Sequence, residues 1–388
     1  MFDVIVVGGG PVGSYAAGEL AGRGHRVVVC ERKNIIGEDV CCTGIIGREA
    51  FSMLPLAQMA GSAIVREARA ASLFSPSGRL IRVSKEETQA YIVHRPVFDA
   101  ELARWAQGKG VEYLLGGGVR SVRSGGSSVA VDVSGRAAPL EAKVVVLACG
   151  FGSPLPQKLG MGTIGDFVVG AQCEIGIDGL NEVEVYFHRP DRSGFAWLAP
   201  TFEGRALAGL LTRRNPGENL KSFLEYVRLR GKVIKNEGKI SYGSIPLRPL
   251  PRTYGPRVLV VGEAAGQVKP MTGGGIYYGL IGARALVEVL DEALKKEDFS
   301  PSRLRQYEKL WRASLGRELQ LGYLARRVHE RFTDGQIEWL FGWLGTDGVV
   351  DSMLAAEGSA FDWHGRVLLR ALRHEPFRAL WHSIRGAR

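Results

Sequence analysis

Two clusters in this chain have residue types and spacings that could do chemistry. Near the start, Gly8, Gly10 and Gly13 stand in G-x-G-x-x-G spacing with Pro11 inside it, and Glu31, followed by Arg32, comes about twenty residues later. Such glycines permit a tight turn, a close backbone approach to a pyrophosphate and close packing of a helix on a strand, while a carboxylate at that distance accepts hydrogen bonds from ribose hydroxyls. The chemistry indicated is dinucleotide binding. The second cluster is the adjacent pair Cys41-Cys42, within the loop-like stretch Gly37-Glu38-Asp39-Val40-Cys41-Cys42-Thr43-Gly44. A thiol there could be redox-active or deliver a proton, and the plainer reading is a small buried hydrophobe.

The glycine spacing acquires meaning from the elements that must hold it. The β-branched run Val4 to Val7 reads as a buried strand, Ser14 to Leu20 as a helix, and Arg26 to Cys30 as a second strand ending at Glu31. Strand, turn, helix, strand and acid occur in the order a dinucleotide fold requires. Further on, Ser75-Pro76-Ser77-Gly78 marks a turn between strands, Val97 to Ala106 a helix, and Lys143 to Leu147 a buried strand reaching Cys149-Gly150. Short strands separated by turns fill about 167–211, typical of an antiparallel sheet. Arg257 to Gly266 returns to the buried-strand style, Gly273 to Leu290 reads as a long helix, and the chain beyond Ser300 is helical and rich in Arg, Leu and Trp. The nucleotide-binding unit is therefore discontinuous.

Composition bounds the rest. The 388 residues are 45% hydrophobic and carry a formal charge of +10, which fits a folded protein of two or three units with a real core. No apolar run reaches the roughly 18 residues that span a bilayer, and the N-terminus lacks a signal-peptide pattern, so a cytoplasmic protein is expected. Cys30, Cys41, Cys42, Cys149 and Cys173 form an odd set without metal-type spacing and read as reduced thiols, with no metal site. The basic excess points to an anionic membrane surface or acidic ligands, since no nucleic-acid-binding signature is present.

Several separated segments resemble one superfamily, the flavoproteins with the p-hydroxybenzoate hydroxylase fold, and within it the geranylgeranyl reductase family. Over roughly residues 1–300 the resemblance rests on the N-terminal fingerprint, on Arg95-Pro96-Val97-Phe98-Asp99, similar to an R-x-x-F-D segment, and on Val146-Leu147-Ala148-Cys149-Gly150, similar to a strand ending in A-x-G. It rests also on Gly262-Glu263-Ala264-Ala265-Gly266 followed by Gly273-Gly274-Gly275-Ile276, which looks like G-D-A-A-G…P-x-x-G-x-G-I. The resemblance implies FAD as cofactor. Arg95 would lie along it, Cys149 and Gly150 beside its adenosine half, and Glu263, where the family usually has Asp, at the ribityl chain. Gly273, Gly274, Gly275 and Ile276 would bring a helix N-terminus to the flavin's pyrimidine end, where its dipole favours the anionic reduced ring. Phe195-Ala196-Trp197-Leu198-Ala199-Pro200 resembles Y-x-W-x-F-P, with Gly209 as a partner glycine, and implies substrate-lining roles for Phe195, Trp197 and Pro200; flavin halogenases carry a similar motif. The Gly37–Gly44 stretch resembles the segment whose cysteine faces the flavin, Cys42 aligning best and Cys41 one place off.

The expected fold class is α/β: a discontinuous Rossmann-type FAD-binding domain (residues 1–72, 94–165 and 252–300), an antiparallel substrate sheet (73–93 and 166–251) and a C-terminal helical region (301–388). The expected activity is FAD-dependent saturation of C=C bonds in an isoprenoid lipid, diphosphate or prenylated quinone. The alternatives are a monooxygenase or halogenase of the same fold, and a non-catalytic flavoprotein that binds a prenyl lipid. No nicotinamide domain is visible, so the electron donor stays open between NAD(P)H and a small redox protein. His364 to Arg388 interleaves leucines and aromatics with arginines, a pattern that suits peripheral contact with an anionic membrane or a core-capping helix. The arginine-rich stretch 302–331 is open in the same way and also suits a subunit contact, so the sequence leaves the oligomeric state open.

Overall fold

The computed structural model describes residues 1–54, 61–187, 191, 193–232, 234–235, 238–346, 348–350 and 361–362. The opening strand Phe2–Val7 lies between Val27–Cys30 and Leu140–Leu147, with Val258–Val260 beyond the latter and Glu112–Leu114 beyond Cys30, all parallel. Both faces of this sheet are covered, which is why its strands are apolar without alternation. Val4 and Val6 pack under the helices Pro11–Ala21, Arg95–Gly108 and Ile276–Lys295, whereas Ile5 and Val7 pack under Val122, Val129 and Val131 of an antiparallel extension.

The second sheet runs, in order, Ile234–Lys235, Phe167–Ile177, Arg205–Thr212, Ala196–Pro200, Val183–Tyr186, Ala70–Phe74 and Leu80–Ser84, with Ser241–Pro246 also on Phe167–Ile177. It is antiparallel except where Val183–Tyr186 meets Ala70–Phe74. The helix Pro216–Leu229 covers one face through Leu220, Phe223, Leu224 and Val227, against Ala171, Cys173, Leu198 and Leu210. Within 73–93, which the sequence assigns to this sheet, Ala90–Val93 pairs instead with Ile45–Gly47 and Ile64–Ala68 in a small third sheet. Ala70 and Ala71, assigned by sequence to the nucleotide unit, belong to the second sheet.

The long helix Pro301–His329 bridges the layers. Its Trp311 indole N–H donates to Thr253 and its Tyr307 hydroxyl to the Val260 carbonyl, both fully buried. At its other end Tyr323 donates to Asp166, and Arg213 bonds both Asp166 at 2.7 Å and Glu330 at 3.1 Å, which fixes the helix to the second sheet. Among the described residues no helix is long and apolar enough to cross a membrane.

Candidate functional site

The glycine turn is built as its spacing requires. A Cβ on Gly13 would sit 2.1 Å from the Gly8 carbonyl oxygen, so only glycine lets the helix Pro11–Ala21 rest on the turn. At Gly10 an added Cβ meets nothing within 4 Å, and the helix that starts there has no side-chain cap, leaving its first N–H groups facing open space. The Glu31 carboxylate spans the turn, accepting the Gly9 N–H at 2.7 Å and the Lys33 N–H at 2.9 Å, with Arg32 exposed beside it. Cys149 and Gly150 follow the neighbouring strand, and Gly150 likewise faces open space.

A second group converges from four stretches of chain. Arg95, at the start of its helix, grips Asp99 with two hydrogen bonds of 2.9 Å. The same guanidinium lies beside Cys42, whose sulfur accepts the Gly44 N–H at 3.4 Å. Cys41 goes the other way: a Cβ on Gly243 would lie 3.5 Å from its sulfur, and Ser241 bonds the thiol. The opposed directions follow from the extended loop. Burial pushes the Cys41 thiol above its ordinary range; Ser241 opposes this, and any negative charge on Cys42 or Glu263 adds to it. Glu263 presents its carboxylate to open space although its neighbours Gly262, Ala264 and Ala265 are buried. The protein mass around it raises its pKa, and Arg95 pulls it back.

The glycine run Gly273-Gly274-Gly275 lies against both this group and a lysine. A Cβ on Gly273 would press on Ile245 and one on Gly275 on Glu263, while Gly274 is packed by the Lys269 side chain. Lys269 makes a buried ion pair of 2.6 Å with Asp362, whose other oxygen has no partner among the described residues. Ile276 opens the helix that follows, again without a side-chain cap.

Facing these turns is the uncovered side of the second sheet. Register puts Ser241, Gln172, Gly209 and Trp197 in one row and Gly243, Gly170 and Leu211 in the next. The middle of this face is therefore carpeted by small side chains and rimmed by Trp197, Phe195, Leu211 and Ile245. Gly209 makes the row possible, since a Cβ there would lie 2.4 Å from the Trp197 ring. Thr43, next to Cys42, donates to Gln172 at 2.8 Å and ties the cysteine loop to the face. Trp197 is half-buried, and its buried indole N–H is unpaired among the described residues. Pro200 is a correction: the period of two puts it with Ala196 and Leu198, on the side turned to the helix Pro216–Leu229, away from Phe195 and Trp197.

The sequence reading missed Asp99 as the anchor of Arg95, Ser241 and Gly243 beside Cys41, Lys269 with Asp362, and Leu247 and Tyr323 in the Trp197 cluster. Only Asp99 had a local signal, four residues from Arg95 in a helix. The segment 364–388 lies outside the described residues.

The open backbone at Gly10 and Gly150, the carboxylate at Glu31 and the Glu263 carboxylate fit the pyrophosphate, ribose and ribityl parts of a flavin dinucleotide. Comparison with known proteins agrees. Residues 3–155 match the family of FAD dependent oxidoreductases. A digeranylgeranylglycerophospholipid reductase of Methanocaldococcus jannaschii is 30% identical over 90% of this chain and 92% of its own. Digeranylgeranylglycerophospholipid reductase 1 of Methanopyrus kandleri is 32% identical over 94% of this chain and 100% of its own. In fold, the crystal structure of a geranylgeranyl bacteriochlorophyll reductase-like protein from Thermoplasma acidophilum superposes with a TM-score of 0.85 at 23% identity, covering 99% of this chain and 98% of that one. A flavin-dependent brominase gives 0.74 at 15% identity, covering 99% of each chain.

Proposed function

Because the chain belongs to the geranylgeranyl reductase family of FAD-dependent oxidoreductases, we propose that it saturates C=C bonds in the prenyl chains of a digeranylgeranyl glycerophospholipid or a chemically similar isoprenoid lipid. The observation that carries this reading is the cysteine pair flanked by Arg95 and Thr43 between the Glu263 turn and the low, apolar face rimmed by Trp197.

Reduced FAD supplies the hydride that adds to one alkene carbon. An isolated trisubstituted alkene is a poor hydride acceptor, so the chain's own residues must fix the reacting carbons and keep water out. The small-residue rows at Gly170, Gly209 and Gly243 leave space for a flat, branched chain, and Trp197, Phe195, Leu211 and Ile245 enclose it in apolar surface. The other alkene carbon needs a proton. Cys42 is the donor in this reading: Arg95 lies beside its sulfur and the Gly44 N–H bonds it, so the thiol is held in one position at the site. Glu31 and the Gly8–Gly13 turn hold the adenosine diphosphate half, and Glu263 the ribityl half. The basic balance and the lipid substrate support a cytoplasmic enzyme working peripherally at an anionic membrane face.

The test is mass analysis of prenyl lipids and quinones after incubation with the chemically reduced protein. Gains in units of two hydrogens are expected. Added oxygen or halogen would instead establish the oxygenase or halogenase chemistry of the same fold.

A further inference from the structure

A groove of about 980 Å³ runs between the long helix Pro301–His329 and the loops 163–166 and 247–251, outside the site described above. Three guanidinium groups, those of Arg248, Arg312 and Arg317, line it. Two are held over aromatic faces: Arg248 lies 5.3 Å from the Tyr323 ring and Arg312 4.5 Å from the Trp311 ring. Arg312 is fixed further by the Leu250 and Pro251 carbonyls at 3.0 and 3.1 Å and by an ion pair of 3.4 Å with Glu308, which leaves Arg248 and Arg317 as the groove's guanidinium groups without a carboxylate partner among the described residues. The acids of the groove are already engaged: Asp166 accepts from Arg213 and Tyr323, and Glu308 from the N–H and hydroxyl of Thr253.

The helix is shaped for an occupant here. Gly316 stands between Arg312 and Arg317 in the groove wall of a 29-residue helix, at a position where an added Cβ meets only the Arg312 Cβ at 3.9 Å. Glycine in a helix interior costs on the order of 1 kcal/mol, and packing does not demand it at this point. The groove is also continuous with the reaction face, because Leu247 and Tyr323 belong both to its wall and to the cluster of Trp197 and Phe195.

We propose that this groove seats the phosphoryl headgroup of the isoprenoid substrate, with Arg248 and Arg317 on the phosphate oxygens, Arg312 bracing the wall, and the prenyl chain passing Leu247 and Tyr323 toward Trp197. The proposal rests on the prenyl-lipid reading of the site. It makes the enzyme select amphiphiles with an anionic head at a fixed distance from the reducible bonds.

The test titrates the FAD-loaded full chain by calorimetry with geranylgeranyl phosphate, geranylgeraniol, inorganic phosphate and NADPH. Two variants are compared with the parent: Arg248→Gln combined with Arg317→Gln, and Gly316→Leu, which fills the groove while improving helix propensity and so keeps the fold. Both should lose about tenfold or more in affinity for geranylgeranyl phosphate, the scale of one or more charge-assisted hydrogen bonds. The arginine variant should hold its affinity for geranylgeraniol within about twofold, and inorganic phosphate should bind the parent far more weakly than the prenyl phosphate. Unchanged affinity in both variants would overturn the proposal. So would a loss confined to NADPH, which would make the groove a nucleotide seat, or equal affinity for inorganic and prenyl phosphate, which would make it an anion site unconnected to the face. Parent protein that binds the prenyl phosphate but never adds hydrogen to a prenyl chain would count against the reductase reading alone.

Discussion

The nucleotide turn and the reaction face are satisfied in opposite ways. At the turn the framework is held by internal partners, the Gly8 N–H donating to the Cys30 carbonyl, Ser14 to the Gly9 carbonyl, and Glu31 accepting two backbone N–H groups, while the first N–H groups of the helix after Gly10 stay open. At the face, Trp197 keeps its buried indole N–H unpaired among the described residues, and burial pushes the Cys41 thiol toward its neutral form. A binding turn has one shape to hold, so its framework is hydrogen-bonded internally and only the N–H groups aimed at the ligand are left open; a face that must accept a proton-demanding apolar substrate keeps its polar groups few and buried.

That contrast breaks most sharply at two glycines of the turn. Gly10→Val should leave the fold intact, because nothing lies within 4 Å of the new Cβ and the backbone at Gly10 is extended, yet abolish FAD retention by filling the pyrophosphate approach. Gly13→Ala should also lose FAD, but by driving the helix off the turn, at about 1–3 kcal/mol of stability. FAD released on denaturation, measured beside the melting temperature of the stripped protein, separates the two. A yellow, FAD-retaining Gly10→Val protein would refute the assignment of the turn.

Next in size is the cysteine pair. Cys42→Ala should keep FAD and fold while alkene reduction falls by about 10²-fold, the scale of a positioned proton donor, with flavin reduction continuing. Cys41→Ala should behave nearly as the parent, its thiol being turned to Ser241 and Gly243. Impairment of Cys41→Ala alone, in single-turnover measurements, would move the role one residue.

The nucleotide unit is itself closed by Asp291 of the helix Ile276–Lys295, which bonds Arg23 and His25 beyond the helix Pro11–Ala21 and also Lys295 of its own helix. Burial alone would raise its pKa, but the hydrogen bonds from Lys295, His25 and Arg23 outweigh that and hold it at about 2. A depressed carboxylate contributes stability that is present above its ordinary value of 3.8 and fades as pH falls toward 2. Asp291→Asn should therefore cost about 1–2 kcal/mol at neutral pH, and its denaturation curve should converge on the parent's near pH 2. A gap that persists unchanged at low pH would mean that the loss is one of packing.

What the sequence made legible follows the same division. The turn could be read because Gly8, Gly10, Gly13 and Glu31 lie within one strand-helix-strand unit, where spacing in sequence is spacing in space. The face could be read only in part. Trp197 and Cys42 stand in motifs that the sequence displays, but the approach of Arg95 to Cys42 bridges two elements of different type, and the Lys269–Asp362 pair closes across 93 residues with no periodicity to announce it. Pro200 was misplaced because a motif was read as a contiguous lining, whereas a strand shows only alternate residues to each side. The parallel pairing of Ala70–Phe74 with Val183–Tyr186 is likewise a long-range choice that neither segment encodes alone.

The smallest effect belongs to Trp197, and it probes the contrast most finely. Its ring covers Gly209 and contributes apolar surface to the face, while its N–H is buried without a partner among the described residues. Trp197→Phe removes that unpaired donor, whose burial costs about 1–3 kcal/mol, and gives up part of a ring whose lost area costs a similar amount. The two terms oppose each other, so the melting temperature should move by only about 2 °C or less. Because Phe is shorter, the rim of the face recedes, and KM for the prenyl lipid should rise a few-fold with kcat largely kept, as expected when apolar contact is shared by ground and transition states. A fall of more than about 5 °C would mean that the indole N–H has a partner in the folded protein, and that this rim is core structure serving the sheet instead of the substrate.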